Sequence, residues 1–406
     1  MRDRAALFWI LLTLFTASVA VFQGVQETAQ QRSTLAELKQ LDKTEREAVL
    51  AEQSNWGLAA YYTFHLTYDP PSGFAFAAMG ERDTSPWIYR IRMLALEGQI
   101  YETDGENPDF ANIGRFDFAF VVSVLSPILI ILLLFDLRSG ERTAGRLELI
   151  EVSARNPQHV WMMRAGIRIA AVILALSVPL WAGSLLESTD FTIVLFATIA
   201  VTVYVLFWGL VAVIQAKAHR AGSVNLAVLA GIWVLFCAVM PTAISLVSNR
   251  AVAVPEGGDI ILTQREAVND AWDLPKDTTM KLFLDRHPDW ADNATVEKPF
   301  EWKWYYAFQQ VGDQTAEQLS RDYREGRKKR NRLSSMLSLI SPASMIQGYF
   351  EKLAGTDMTS SLNYEMRVRN FHAELRKWYY PKLFKDEPYE AGILETLPQY
   401  EPDGGP

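Results

Sequence analysis

The residues best spaced for chemistry lie in one short polar stretch, Gly140-Glu-Arg-Thr-Ala-Gly145-Arg146-Leu147. Its two glycines stand at the spacing of a phosphate-binding loop, which would make the chain a nucleotide enzyme. Such a loop needs a lysine to reach the β- and γ-phosphates and a Ser or Thr to hold Mg²⁺. Those positions are Arg146 and Leu147, and no buried strand precedes the stretch, so the chain reads as lacking an ATP site of its own. The five histidines, His65, His159, His219, His287 and His372, are scattered and fit neither a His-Glu-x-x-His zinc helix nor a Gly-x-Ser-x-Gly nucleophile elbow. His372 and Glu374 read as a surface polar pair. The lone cysteine, Cys237, allows no internal disulfide and no Cys/His metal set. No catalytic, cofactor-binding or metal-ligating constellation emerges.

The stretch reads mechanically instead. Glu141, Gly145 and Glu148, at i, i+4 and i+7, mark one polar side of a short helix. Leu147, Leu149 and Ile150 can cover another side facing the membrane or a partner. Gly145 lets another backbone approach closely, and Arg155-Asn-Pro-Gln158 closes the connector with a turn. The plainer reading is a solvated connector held at the interface by arginines reaching the headgroups.

The connector joins apolar runs long enough to cross a membrane. Mean hydropathy is only +0.02, but the average hides segregation of apolar from polar segments. Five stretches approach the roughly 20 helical residues that cross a hydrocarbon core: Ala5–Gly24, Asp117–Phe135, Arg164–Leu186, Phe191–Gln215 and Val224–Val247. The first is longer than a signal-peptide core and lacks a clear cleavage site, so it reads as an uncleaved span. Pro127, Pro179 and Pro241 predict kinks or broken turns within the spans. The span centres carry no charge, which disfavours a proton-driven path.

Basic residues near span ends set orientation. Arg2 and Arg4 place the N-terminus inside, as do Arg138, Arg142, Arg146, Arg155 and Arg164 for the connector and Lys217 and Arg220 for the turn after span four. The opposite turn, Glu187–Asp190, has no basic residue. The division is then a first span at 1–24, an outer insertion at 25–116, spans two to five at 117–247 with the cytosolic connector 136–163, and an outer C-terminal domain at 248–406. The cluster Arg321, Arg324, Arg327, Lys328, Lys329, Arg330 and Arg332 sits outside against the rule's grain, but long translocated domains largely escape it.

The outer parts read as mostly helical. Residues 26–54 continue span one as a polar helix, since neither Gly nor Pro occurs from Val25 to Asn55. A loop follows at Asp69-Pro-Pro-Ser-Gly73, a helix at 86–100 and another loop at 104–108. Further helices are expected at Leu262–His287, Thr315–Ile340, Pro342–Leu353 (ended by Gly355) and Ser360–Tyr380. The aromatic run Trp302–Phe308 reads as a packing strand or an amphipathic surface near headgroups, core packing being the better fit. The tail from Pro398 reads as disordered. A net charge of −8 argues against nucleic acid as a partner.

The motif Glu141-x-x-x-Gly145-x-Leu147, set between two apolar runs, resembles the Glu-x-x-x-Gly-Thr-Leu signature of type-2 ABC transporter permeases, with Arg146 in place of the usual Thr. Phe116-Asp-Phe-Ala-Phe120, Leu125-Ser-Pro127, Tyr68-Asp-Pro-Pro71, Leu339-Ile-Ser-Pro-Ala-Ser344, Ala354-Gly-Thr-Asp357 and Val368-Arg-Asn-Phe-His372 extend the resemblance to a branch with large periplasmic insertions. The resemblance implies a polytopic helical protein of a bacterial inner membrane, pairing with a second permease, itself or a sister subunit. Glu141, Gly145, Leu147 and Glu148 would couple it to a cytosolic ATPase dimer that holds ATP and Mg. The family usually has six spans and a cytosolic C-terminus, so either this chain ends outside or a last helix lies beyond it. The substrate would be amphiphilic or hydrophobic, because Tyr204, Phe207, Trp208 and Trp233 offer aromatic walls for a path, unless they face lipid instead. The competing reading is a structural or sensory envelope protein that binds a periplasmic partner, with the connector an inert turn.

Overall fold

The computed structural model describes residues 4–102, 116–217, 220–390 and 396–402. The loop expected at 104–108, His219 and the last residues of the tail lie outside them. The chain is mainly helical, with five helices among the described residues long and apolar enough to cross a membrane. These are α1 (Arg4–Glu52), α4 (Phe118–Thr143), α6 (Pro157–Leu186), α7 (Phe191–Ala216) and α8 (Gly222–Ala251). The polar continuation of span one is one helix with it. At 1.5 Å per residue, α1 is about 74 Å long.

Two of the span prolines reshape their helices. Proline has no N–H to give to a carbonyl one turn earlier, and a widened π turn precedes Pro127 at Val121–Leu125 and Pro241 at Leu235–Val239. The carbonyls there take donors from other elements. Ser123 O accepts from Tyr204 Oη at 2.5 Å and from Cys237 Sγ at 3.6 Å, and Val124 O accepts from Trp233 Nε1 at 3.0 Å. Pro179 lies inside α6 without interrupting it.

Outside the spans come α2 (Trp56–Tyr62), the antiparallel strands β1 (His65–Tyr68) and β2 (Ile88–Ile91), and α3 (Leu96–Tyr101). The helix expected at 86–100 is therefore a strand followed by a short helix. Ile88, Tyr89 and Ile91 suit a pleated surface, and Tyr89 and Ile91 are buried on either side of exposed Arg90. After the spans follow α9 (Gly257–Asp273), α10 (Lys276–Leu284), α11 (Trp302–Leu337), α12 (Pro342–Ala354) and α13 (Met358–Phe384). The helix expected at Leu262–His287 is broken at Pro275. The aromatic run is no strand, but the first two turns of α11. Its rings pair at helical spacing, Trp302 on Tyr306 and Trp304 on Phe308, with centroids 6.0 and 5.0 Å apart.

Two hydrophobic clusters organise these elements. One gathers the spans together with Phe74, Phe76 and, from α12, Ile346, Phe350 and Ala354. The other joins α2, the sheet and α3 to α9, α10, α11 and α13, so the segments 25–116 and 248–406, separate in sequence, share one core. The tail is corrected here too: Leu397 and Tyr400 are buried in that core, with Tyr400 packed edge-on against Tyr68 and Phe371.

The clusters are tied by the strap between Asp69 and Asp83. Gly24 of α1 lets it in, since a Cβ there would stand 2.0 Å from the Phe76 carbonyl oxygen. Ser72 Oγ donates to Ala354 O at 2.6 Å, and Thr356 Oγ1 to Ala78 O at 2.9 Å. Asp69 is bridged by Arg82 and Arg367. Behind the strap, Arg369 clasps Glu97 with two bonds of 2.9 Å, and Ser320 donates to the same carboxylate at 2.7 Å. Burial works against the Glu97 charge, yet these donors hold its carboxyl below the usual range. Arg376 pairs with Asp313 at 2.6 Å, and Arg327 with Glu81 and Glu365 at 3.2 and 3.5 Å.

Glu351, on α12 beside the strap, is pushed up to about 7 by burial, with Asp117, Glu81 and Asp357 adding repulsion against the bond from Gln347. The folded chain keeps this proton where the unfolded chain has lost it, so stability falls as pH rises from about 4.5 through about 7. Glu351→Gln should flatten the pH dependence of the melting temperature across that window and raise the melting temperature at pH above it, as read by thermal unfolding in detergent.

Candidate functional site

The connector folds as two short helices, because the first one stops at Gly145. The last turn of α4 spans Ser139–Thr143, and α5 spans Leu147–Ser153. Between them Gly145 adopts a left-handed φ of +68°. Its N–H donates to Arg142 O and the N–H of Arg146 reaches back to Glu141 O, both at 2.9 Å, which is the double closure of a Schellman turn. Nothing lies within 4 Å of where a Gly145 Cβ would be, so backbone conformation, not close approach, requires glycine here.

The side chains lock the same turn. Glu141 receives Arg146 Nε on one oxygen at 2.7 Å and Arg164 Nη1, from the first turns of α6, on the other at 3.0 Å. Arg146, which departs from the resembled motif, thus closes the turn that Gly145 opens. Arg138 and Arg164 both lie over the buried Trp161 ring, 5.6 and 5.3 Å from its centre. Arg168 donates to Leu133 O at 2.5 Å and fastens α6 to α4.

The break separates the expected polar side. Glu141 and Glu148 belong to different helices and do not share one helical face. Leu147 and Ile150 pack on the span cluster. Glu148 is exposed, and so are Leu149 at 74% and Val152 at 89%. Val152 gave no signal in the motif, and the clasp to Arg164 joins residues whose pairing no local periodicity reveals.

The four aromatic residues lie together in the span cluster but in different settings. Tyr204 and Trp208 are buried, at 3% and 0%, with Tyr204 bonded to the π turn of α4. Phe207 and Trp233 are half-buried at the edge of the cluster. Two cavities of about 700 Å³ each lie in the polar half of the molecule. One is lined by α1 and β1 with Lys39, Asp42, Arg46 and Tyr68, the other by α3, the segment after α10, α11 and α13 with Glu97, Arg286, His287, Trp290, Asp313 and Arg376. Burial, with Arg376 and Arg286 nearby, keeps His287 neutral further into the acid range than usual. Among the described residues no group of three or more His, Cys, Asp and Glu could hold a metal ion.

A family model described as a domain of unknown function (DUF3526) matches residues 260–403, which take in α10 to α13 and nearly all of α9. No curated protein and no solved structure matches the chain.

The turn chemistry makes a graded prediction. Gly145→Asn, whose side chain tolerates left-handed backbone, should melt within a degree or two of the parent. Gly145→Val should cost about 1–2 kcal/mol and speed proteolysis between Arg142 and Arg155. Equal proteolysis of the two variants would remove the requirement for a left-handed residue.

Proposed function

We propose that the chain is the membrane subunit of an ATP-driven transporter of the type-2 ABC permease kind, with α5 as the seat for a separate cytosolic ATPase. The observation that carries this reading is the outward face of α5. Leu149 and Val152 stand exposed beside Glu148 and Glu151 on a helix of only seven residues. Its base is fixed to two spans by the Glu141 clasp. Apolar side chains held in water on a braced, charged platform fit a protein contact.

The energy source then lies on the partner, which holds ATP and Mg. Closure of a motor against α5 would pull on Glu141 and through Arg164 on α6, and press on the spans through Leu147 and Ile150. Two such chains, or this one and a sister permease, would enclose the path. The substrate would be amphiphilic, with Phe207 and Trp233 as apolar walls open at the bundle's edge and Tyr204 and Trp208 as the packing behind them. The protein would sit in a bacterial inner membrane with its N-terminus and connector cytosolic and the strap, sheet and α9–α13 on the periplasmic side.

Two measurements test this. Leu149→Asp combined with Val152→Asp should lower the vanadate-sensitive ATPase activity that copurifies with the tagged chain by roughly tenfold, as loss of about 1.4 kcal/mol of binding would, while leaving its amount in the membrane unchanged. Gln318→Ala, on an exposed turn of α11, should not. Undiminished ATPase recovery in the double variant would leave α5 without this role. For orientation, Ser54→Cys and Gln318→Cys in a Cys237→Ala background should react with a membrane-impermeant maleimide in intact cells. Protection of Gln318→Cys until the cells are broken would reverse the sidedness.

A further inference from the structure

The cavity between α11, α13 and the segment after α10 is lined by charges of both signs, and the two signs are not equally spent. Asp313 accepts the N–H groups of Leu96 and Glu97 on one oxygen, at 2.7 and 3.0 Å, and Arg376 on the other at 2.6 Å. Glu97 takes Arg369 on both oxygens and Ser320 on one. Glu317 is bridged by Arg286 and Arg321. The remaining carboxylate of the lining, Asp289, is exposed to solvent. Hydrogen-bond donors are in surplus by comparison. Among the described residues, Arg376 gives Asp313, and Arg286 gives Glu317, a single N–H of the five that a guanidinium carries. Gln314, also in the lining, has a buried Nε2 with no acceptor.

His287 adds a donor of fixed direction. Tyr380 Oη donates to Gln310 Oε1, so the amide turns its Nε2 toward His287 Nε2, 2.9 Å away. That ring nitrogen accepts, which leaves the imidazole proton on Nδ1. Arg376 and Arg286 both stand close enough to this ring to disfavour its charged form. Trp290, packed against Phe384 and Tyr380 with centroids 5.1 and 6.3 Å apart, supplies an apolar face at the same end. Beyond it α11 and α13 run antiparallel, with Tyr380 beside Gln310 and Arg369 beside Ser320. Those two rungs lie about 15 Å apart along α11, room for more than a bare ion.

We propose that this cavity binds a small organic anion, its carboxylate held by Arg376, Arg286 and the Nδ1–H of His287, and its apolar part laid against Trp290. The volume of about 700 Å³ is that of a small-molecule site. Arg376 is braced on one edge by Asp313 and keeps the rest of its planar fork, which matches a carboxylate. The site is independent of the α5 seat and of the chain's sidedness.

Isothermal titration of the full chain in nonionic detergent tests this, with 4-phenylbutyrate and its uncharged analogue 4-phenyl-1-butanol as probes and detergent alone as the blank. The acid should bind and the alcohol should not. Arg286→Ala, at an exposed position, should weaken binding of the acid by roughly tenfold or more. So should Arg376→Lys, which keeps a cation beside Asp313 but loses the fork, in protein whose near-ultraviolet circular dichroism matches the parent. Lys43→Ala, on the wall of the α1 cavity, should change nothing. Equal binding of acid and alcohol overturns the anion site. Loss of binding in Lys43→Ala, with Arg286→Ala unaffected, moves the ligand to the α1 cavity and overturns the assignment. No heat above the blank with the acid overturns it outright, whatever the chain does with an ATPase.

Discussion

A proline inside a helix leaves a carbonyl without its N–H, and in surroundings that exclude water that carbonyl must find another donor or cost several kcal/mol. Pro127 and Pro241 impose this demand on α4 and α8, and the arrangement of the bundle follows from how it is met. Ser123 O draws in Tyr204 from α7 and Cys237 from α8, Val124 O draws in Trp233, and Phe236 O draws in Ser341. The donors come from three elements: Tyr204 from α7, Trp233 and Cys237 from successive turns of α8, and Ser341 from the cap of α12. Sliding α7, α8 or α12 by one turn would orphan a carbonyl, so their registers are fixed together.

The polar half is held on another principle. Charged side chains there are enclosed by protein and survive because they are matched, Glu97 by Arg369, Asp313 by Arg376, Glu81 and Glu365 by Arg327. Removing one partner from such a set leaves an unmatched charge, which is far worse than never having had the pair. The pairs link α3, α11 and α13 to the strap, and the strap lies on Gly24 of α1. Packing at the spans and charge matching outside them are thus continuous through one short segment.

The five long apolar helices were legible because some twenty apolar residues in a row have few other destinations, and the run of α1 to residue 52 followed from the missing Gly and Pro after Val25. The Gly355 stop of α12 was legible for the same local reason, its φ of +64° suiting glycine. What escaped depends on partners far away in sequence. Ile88–Ile91 is a strand only because His65–Tyr68 lies beside it. The tail looks disordered until Tyr68 and Phe371 offer Tyr400 a surface. In the connector, the motif pointed to Glu141 and Gly145, and the structure gives those two residues a shared local task. Glu148 stands apart from them because a Schellman turn resets the helical phase. Arg146 and Arg164 were counted for their charge alone, and only the fold shows that both spend it on Glu141.

The length of α1 has a mechanical consequence. With neither glycine nor proline from Val25 to Asn55, its C-terminal half is a stiff rod continuous with its apolar half, and Leu50 near its far end is buried in the second cluster. A tilt of about 5° around its inner end would carry that far end roughly 6 Å, given a helix rising 1.5 Å per residue. A small rocking motion among the spans would therefore arrive at the sheet and α13 as a displacement larger than a side-chain contact. The rod is a lever arm, and the cluster at its tip is what it moves.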